Sequence, residues 1–193
     1  MPRQGLHKEQ VIQAAIAFID QYGLSRFSMG ELAKYLNIRP SSLYNHVESL
    51  DELLRHVGLA AVSRLTQMEE EAIANKTKDE ALFALAEAYR TFAREHYQLY
   101  KVIMGFSQWS RGQVMDQEPG KIVTPILRIL ASYGLTKPQQ YHWQRVLRAV
   151  MVGFALHEQA GGFSRFPVDE AESYRIAIQC VADGLRRAGK ENV

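Results

Sequence analysis

Cysteine is almost absent from this 193-residue chain: Cys180 stands alone. No disulfide can close within it, and a reducing cytosol is its simplest home. Long apolar runs are missing as well, since none approaches the roughly 18 residues that a membrane span needs. The opening Met-Pro-Arg-Gln-Gly-Leu-His has no apolar centre of the kind a signal peptide carries. A cytoplasmic protein with no membrane partner is the expectation. An excess of one charge is also lacking. The net charge is only +2. Up to His56, Arg3, Lys8, Arg26, Lys34, Arg39 and Arg55 are balanced by Glu9, Asp20, Glu31, Glu48, Asp51 and Glu52. Any positive field that attracts a polyanion must therefore be local.

Catalytic motifs are scarce too. There is no glycine-rich phosphate loop and no nucleophile elbow. The six histidines, His7, His46, His56, His96, His142 and His157, form no His-x-x-x-His pair and no Glu-x-x-His array. No catalytic residue, metal or cofactor is expected, and an enzyme reading finds no support. Strand-like alternation and repeats are absent. What is present is a 47% hydrophobic share, enough for a substantial core in one domain or in a small one fused to a larger, spaced throughout at helical intervals.

The most informative stretch begins at Ser28. Ser28 and Glu31 have the spacing of a capping box, so a helix should start there. Met29, Leu32, Ala33 and Leu36 follow on one face, and Asn37 tolerates the left-handed backbone that often ends a helix. Pro40 suits the first turn of a second helix, from which Leu43 and Val47 point inward. Arg39, Ser41, Ser42, Tyr44, Asn45 and His46 are left facing outward. This is a helix-turn-helix whose second helix fits a DNA major groove. An earlier helix over residues 7–23, with Val11, Ile12, Ala15, Phe18, Ile19 and Tyr22 as its stripe, braces the pair into a three-helix head. Phe27 is placed to staple against Leu32.

Residues 37–54, Asn-Ile-Arg-Pro-Ser-Ser-Leu-Tyr-Asn-His-Val-Glu-Ser-Leu-Asp-Glu-Leu-Leu, resemble the signature of tetracycline-repressor (TetR) family regulators. The signature couples a short hydroxyl residue, here Ser42, to Leu-Tyr-x-His and an acidic helix start. Two positions depart from it. Asn37 stands where the family often has glycine, and Leu50 where it often has a lysine that contacts phosphate. The resemblance implies an all-α fold with a double-stranded DNA operator as partner. Ser28, Lys34, Arg39, Pro40, Ser41, Ser42, Tyr44, Asn45 and His46 are the candidate DNA-binding residues. Among them Ser42, Tyr44 and His46 suit phosphates. Arg39, Ser41 and Asn45 suit base edges, since Arg can grip guanine and Asn adenine with two hydrogen bonds each.

Further helices follow. Ser49 with Glu52 opens a fourth toward Asn75, and Thr77 with Glu80 opens a fifth carrying Ala81, Leu82, Leu85, Ala88, Tyr89 and Phe92 inward. A short sixth covers residues 98–104, before a Gly105–Gly120 loop. The seventh covers residues 119–133, with Pro125 marking a kink or a later start. The eighth spans residues 136–160, and the ninth begins at Asp169 and Glu172. About nine helices result, divided into a head over residues 1–50 and a larger domain over residues 51–193. The fourth helix links them without a flexible tract.

The last two helices each show two apolar faces. On the eighth, Trp143, Val146, Leu147, Val150 and Phe154 make one, and Ala149, Gly153, Leu156 and Ala160 the other. On the ninth, Ile176, Cys180 and Gly184 stand apart from Tyr174, Ala177, Ile178, Val181 and Leu185. Faces of this kind suit a twofold four-helix interface, and the family resemblance implies such a homodimer. Trp143 to Phe154 and Gly161-Gly-Phe163 also resemble a TetR-type C-terminal domain, which implies an unnamed small-molecule effector. Its candidate contacts are Tyr89, Phe92, Tyr100, Phe106, Trp109, Trp143, Phe154 and His157, the last also readable as a core histidine. The resulting expectation is a ligand-responsive homodimeric repressor on a pseudo-palindromic operator. The alternative is an all-helical adaptor or small-molecule-binding protein without DNA binding.

Overall fold

The computed structural model describes residues 6–109 and 121–190, the side chains of residues 106–109 and 121 excepted. Among these residues there are nine α-helices and no strand. The helices are α1 (Lys8–Tyr22), α2 (Met29–Tyr35), α3 (Pro40–Leu43), α4 (Leu50–Ala72), α5 (Lys78–Glu95), α6 (Tyr97–Trp109), α7 (Thr124–Ala131), α8 (Lys137–Gln159) and α9 (Glu170–Lys190). The chain packs as two compact units. One holds the residues up to Arg64 together with α6, and the other holds Leu65 to Glu95 together with α7, α8 and α9. The cut falls inside α4, later in the chain than the end of the helix-turn-helix near residue 50.

In the first unit, α1 starts from His7, whose amide donates to Gln10 Oε1 at 2.9 Å, and stops at Gly23, where φ is +89°. Its stripe Val11, Ala15, Phe18 and Ile19 is buried, while Tyr22 at the end of the stripe is partly open to solvent. The Phe18 ring gathers Tyr22, Phe27 and Tyr35 around it, at centroid distances of 4.9, 5.7 and 5.6 Å. Phe27 is thus fixed to α1 just before the Ser28 cap. Helix α6 seals the other side of α1. Its Gln98 Oε1 accepts from the Leu24 amide at 3.2 Å, and His96 Nδ1 lies 3.5 Å from Asp20. The start of α4 is tied to α1 through Glu52, whose Oε1 takes the Lys8 ammonium at 2.7 Å and lies 3.3 Å from His56 Nε2. The Lys8 ammonium, then the Glu48 amide, hold the Glu52 carboxyl down to about 2.

The second unit is a bundle in which α5 packs against α7, α8 and α9. Its core includes Leu82, Leu85, Phe92, Leu130, Leu147, Met151, Ile178 and Leu185. At its centre Arg90, 5% exposed, grips Glu158 with both ends of its guanidinium, at 3.0 and 2.7 Å. The same guanidinium lies 5.3 Å from the Tyr174 ring centroid and 6.0 Å from that of Phe154. The Tyr174 hydroxyl donates to the Ala86 carbonyl at 2.8 Å, which adds a further polar tie between α5 and α9.

Several boundaries differ from the sequence expectation. Helix α6 runs on to Trp109 instead of stopping at Met104, so Phe106 and Trp109 lie on a helix and not in a loop. A lone glycine at 105 costs a helix only about 1 kcal/mol and does not break it. Helix α7 starts at Thr124 behind a 3-10 turn over Lys121–Val123, with Pro125 in its first turn, so the later start is the one observed. On α8 the buried row is Gln140, Leu147, Met151 and Ala155, while Val146, placed on the inner stripe by spacing alone, is exposed.

Candidate nucleic-acid interface

Local chemistry shapes the turn. The Glu31 amide donates to Ser28 Oγ at 3.2 Å, which starts α2. The helix ends in the way a left-handed residue allows: Asn37 has φ +53°. Its amide bonds the Lys34 carbonyl, and the Ile38 amide bonds the Ala33 carbonyl, each at 3.0 Å. Those two bonds satisfy carbonyls that a helix end otherwise strands. Arg39 then sits in extended backbone as the N-cap of α3, and Pro40 takes the first turn.

Regular helix α3 is shorter than the spacing suggests, ending at Leu43. Residues 44–46 continue as a tight turn, in which the His46 and Val47 amides both return to the Leu43 carbonyl, at 2.9 and 3.1 Å. The Glu48 amide is captured by Glu52 Oε2 at 2.5 Å, and Ser49 Oγ caps α4 by accepting from the Glu52 amide at 3.0 Å. A new helix start therefore claims the chain before α3 can lengthen. Leu43 and Val47 are buried, as expected, and pin the segment to the head.

The outward residues are open. Arg39, Pro40, Ser41, Tyr44 and Asn45 are exposed, Tyr44 at 54%, with Ser42 and His46 intermediate. Among the described residues, the side chains of Arg39, Ser41, Ser42, Tyr44, Asn45 and His46 make no hydrogen bond or ion pair within the chain. Ser28 and Lys34 are differently placed. Ser28 Oγ is already a cap, and the Lys34 ammonium lies 2.6 Å from Glu31 Oε1, which lowers the Glu31 carboxyl below its ordinary value.

In residues 82–181 the chain matches the family model described as the tetracyclin repressor-like C-terminal domain. The chain belongs to the TetR family. This TetR-family chain is 29% identical over 184 residues to the uncharacterized HTH-type transcriptional regulator YobS of Bacillus subtilis, covering 95% of each. It is 28% identical over 182 residues to the uncharacterized HTH-type regulator Rv0681 of Mycobacterium tuberculosis, covering 94% of this chain and 83% of that one. In fold it resembles a TetR variant from Acinetobacter baumannii crystallised in complex with minocycline. The TM-score there is 0.70 at 19% identity, with 94% and 97% of the two chains covered. This TetR-family protein is a helix-turn-helix, DNA-binding transcriptional regulator. No helix among its described residues is long and apolar enough to cross a membrane.

The expected effector contacts are scattered. Tyr89, Phe92, Trp143, Phe154 and His157 belong to the larger unit, whereas Tyr100, Phe106 and Trp109 lie on α6 in the first unit. The side chains of Phe106 and Trp109 fall outside the described residues. Tyr89, Phe92 and Tyr100 are buried in the cores of their units. Phe154 stacks between Phe163 and Tyr174, at 4.6 and 4.9 Å. His157 is exposed rather than a core histidine, its ring 5.6 Å from that of Phe163. Trp143 packs where Gly184 leaves room, and a Cβ at residue 184 would stand 2.3 Å from its Cη2. Of these, the residues with described side chains do not line the cavity of about 810 Å³ bounded by Thr77, Lys78, Asp79, Glu80, Tyr133, Arg186, Gly189 and Lys190.

The candidate dimer residues are open to solvent to different degrees. Leu156 is 44% and Ile176 53% exposed. Ala149, Ala160 and Cys180 are exposed too, with Gly153 and Gly184 intermediate. Val146, 44% exposed, extends this apolar strip on α8. Sequence reasoning missed it because a helix with two apolar faces does not say which one turns inward.

Proposed function

We infer that the protein acts as a homodimer. The outer faces of α8 and α9 meet about a twofold, and two reading segments straddle a pseudo-palindromic operator, each in its own major groove. A small molecule held in the larger unit favours a DNA-incompetent arrangement and releases the operator. Only its differential affinity for the two arrangements can shift the population. The observation that carries this reading is the set of outward side chains from Arg39 to His46. They are exposed or half-buried, without side-chain partners among the described residues, and mounted on buried Leu43 and Val47. The net charge is too small for general attraction to polyanions, so contacts at this strip must supply it.

In this reading Ser42, Tyr44 and His46 hold phosphates. Arg39, Ser41 and Asn45 meet base edges, and Pro40 sets the entry of α3. Arg39 sits at a helix N-terminus, where a cation opposes the backbone dipole; a polyanion in the groove removes that penalty. Ser28 contributes through its helix start, and Lys34 exchanges Glu31 for a phosphate. Selection of bound sequences from random duplexes yields the operator. Tyr44→Ala then weakens binding to operator and random duplex by a similar factor, as loss of a phosphate contact requires. A loss confined to the operator would remove Tyr44 from that role, and no duplex affinity at low salt in the parent protein would sink the reading.

A further inference from the structure

The reading segment is too short to hold its own shape. Helix α3 has four residues, well under the length at which a helix persists unaided. Tyr44, Asn45 and His46 follow on a turn, and the His46 and Val47 amides both return to the Leu43 carbonyl. Leu43 and Val47 fix the segment from beneath. Past Val47 the chain is caught at the Glu48 amide, which donates to Glu52 Oε2 at 2.5 Å. That bond is not the usual cap. In a capping box the glutamate at the third helical position returns to the amide of the capping residue, which here is Ser49. Ser49 Oγ makes its half of the box by accepting from the Glu52 amide at 3.0 Å. The Glu52 carboxylate instead reaches one residue further back, toward the reading turn.

The other oxygen of the same carboxylate is anchored. Glu52 Oε1 takes the Lys8 ammonium of α1 at 2.7 Å and lies 3.3 Å from His56 Nε2, one turn further along α4. The Glu52 side chain is 17% exposed, and bonds to an ionised carboxylate are shorter and stronger than those between neutral groups. One side chain thus joins the start of α1, the first turns of α4 and the residue two places after His46. Base edges are read by donors and acceptors in set positions, whereas phosphate contacts carry no sequence information. A shift of this turn therefore harms the reading of sequence more than general attraction to DNA.

We propose that Glu52 is a positioning residue for DNA reading: anchored on Lys8 and His56, it holds the Glu48 amide and so sets where Tyr44, Asn45 and His46 meet the groove. It touches no DNA itself. The proposal rests on the assignment of Arg39 to His46 to the operator, and it gives Lys8 an internal duty in place of a phosphate. The sign of the effect separates this role from electrostatics alone. Removing an acid from a DNA-binding head lessens repulsion, so charge by itself tightens binding to every duplex. Loss of positioning loosens binding to the operator.

Fluorescence anisotropy on the full chain, with the selected operator and a random duplex over a range of salt, tests this. Glu52→Ala is expected to bind the operator about tenfold more weakly while its affinity for random duplex holds or rises. Glu52→Gln keeps an oxygen that can accept from the Glu48 amide but gives up the ion pair, and its loss is about two- to fivefold. Lys8→Met weakens operator binding several-fold with the salt dependence unchanged, whereas loss of a phosphate contact lowers the salt slope by about one. Glu52→Gln and Lys8→Met carry the test if Glu52→Ala does not fold. Three results overturn the proposal: operator affinity unchanged or tighter in the Glu52 variants, an equal loss on operator and random duplex, or a reduced salt slope in Lys8→Met. A parent protein without duplex affinity brings down the DNA strip and this role together. A parent that binds its operator no better than Glu52→Ala does brings down this role alone.

Discussion

Arg90 and Arg39 carry the same guanidinium in opposite surroundings. Arg90 is buried, bidentate on Glu158 and flanked by the Tyr174 and Phe154 rings. Arg39 is exposed, and no group within the described chain answers its charge. A buried charge survives only if its partners are internal, so Arg90 is accounted for by folding alone. Arg39 opposes the dipole of the helix it caps and has no hydrogen bond or ion pair among the described residues to offset that. Its use must lie with something outside, and the same holds for the polar residues that follow it.

The sharpest way to break this contrast is to remove the internal partner. Glu158→Ala strands the Arg90 guanidinium and is expected to cost about 3–5 kcal/mol in denaturant unfolding. An isosteric apolar pair, Arg90→Met with Glu158→Leu, should restore much of that loss. A cost below 1 kcal/mol for Glu158→Ala would mean that the pair is not buried in solution.

Arg39→Ala should behave the other way. Stability stays within about 0.5 kcal/mol of the parent. Discrimination at one operator position falls by roughly 1–3 kcal/mol if a bidentate guanine contact is removed. Competition binding against single-base operator variants measures this, and a folding defect in Arg39→Ala would erase the distinction.

Ser28→Ala lies between the two, because Ser28 serves the fold through its cap on α2. A loss of about 1 kcal/mol is expected, visible as a lower thermal midpoint without altered sequence preference.

The effect at Glu52 is the one set by pH, present in full at neutral pH and lost in acid. Its carboxyl is held down to about 2 by Lys8 and the Glu48 amide. A depressed acid contributes stability above its unfolded value, and that contribution fades as pH falls from about 4.5 toward 2. Glu52→Gln should flatten the acid limb of a stability–pH curve over that window.

The legible parts of this molecule were those whose cause is local. Ser28 with Glu31, Asn37, and Pro40 lie within a few residues of what they control, so the turn could be read residue by residue. The Lys8–Glu52 tie spans 44 residues and the Arg90–Glu158 clamp 68, and nothing in spacing announces either. Glu69 is an intermediate case. It lies in one helical row with Val62, Leu65 and Ile73, all buried. A carboxylate in so apolar a row was a visible anomaly that a search for hydrophobic periodicity passes over. Val146 was misplaced for the opposite reason: α8 is apolar on too many sides for periodicity to choose.

The missing side chain at Gly184 has an effect on the outside of the protein. The indole of Trp143 occupies the space a methyl group would need, and so acts as the shim that sets the gap between α8 and α9. The contour a second copy would meet is thereby dictated from beneath, and any bulk added at 184 would prise the two helices apart and warp that contour before a surface residue had changed.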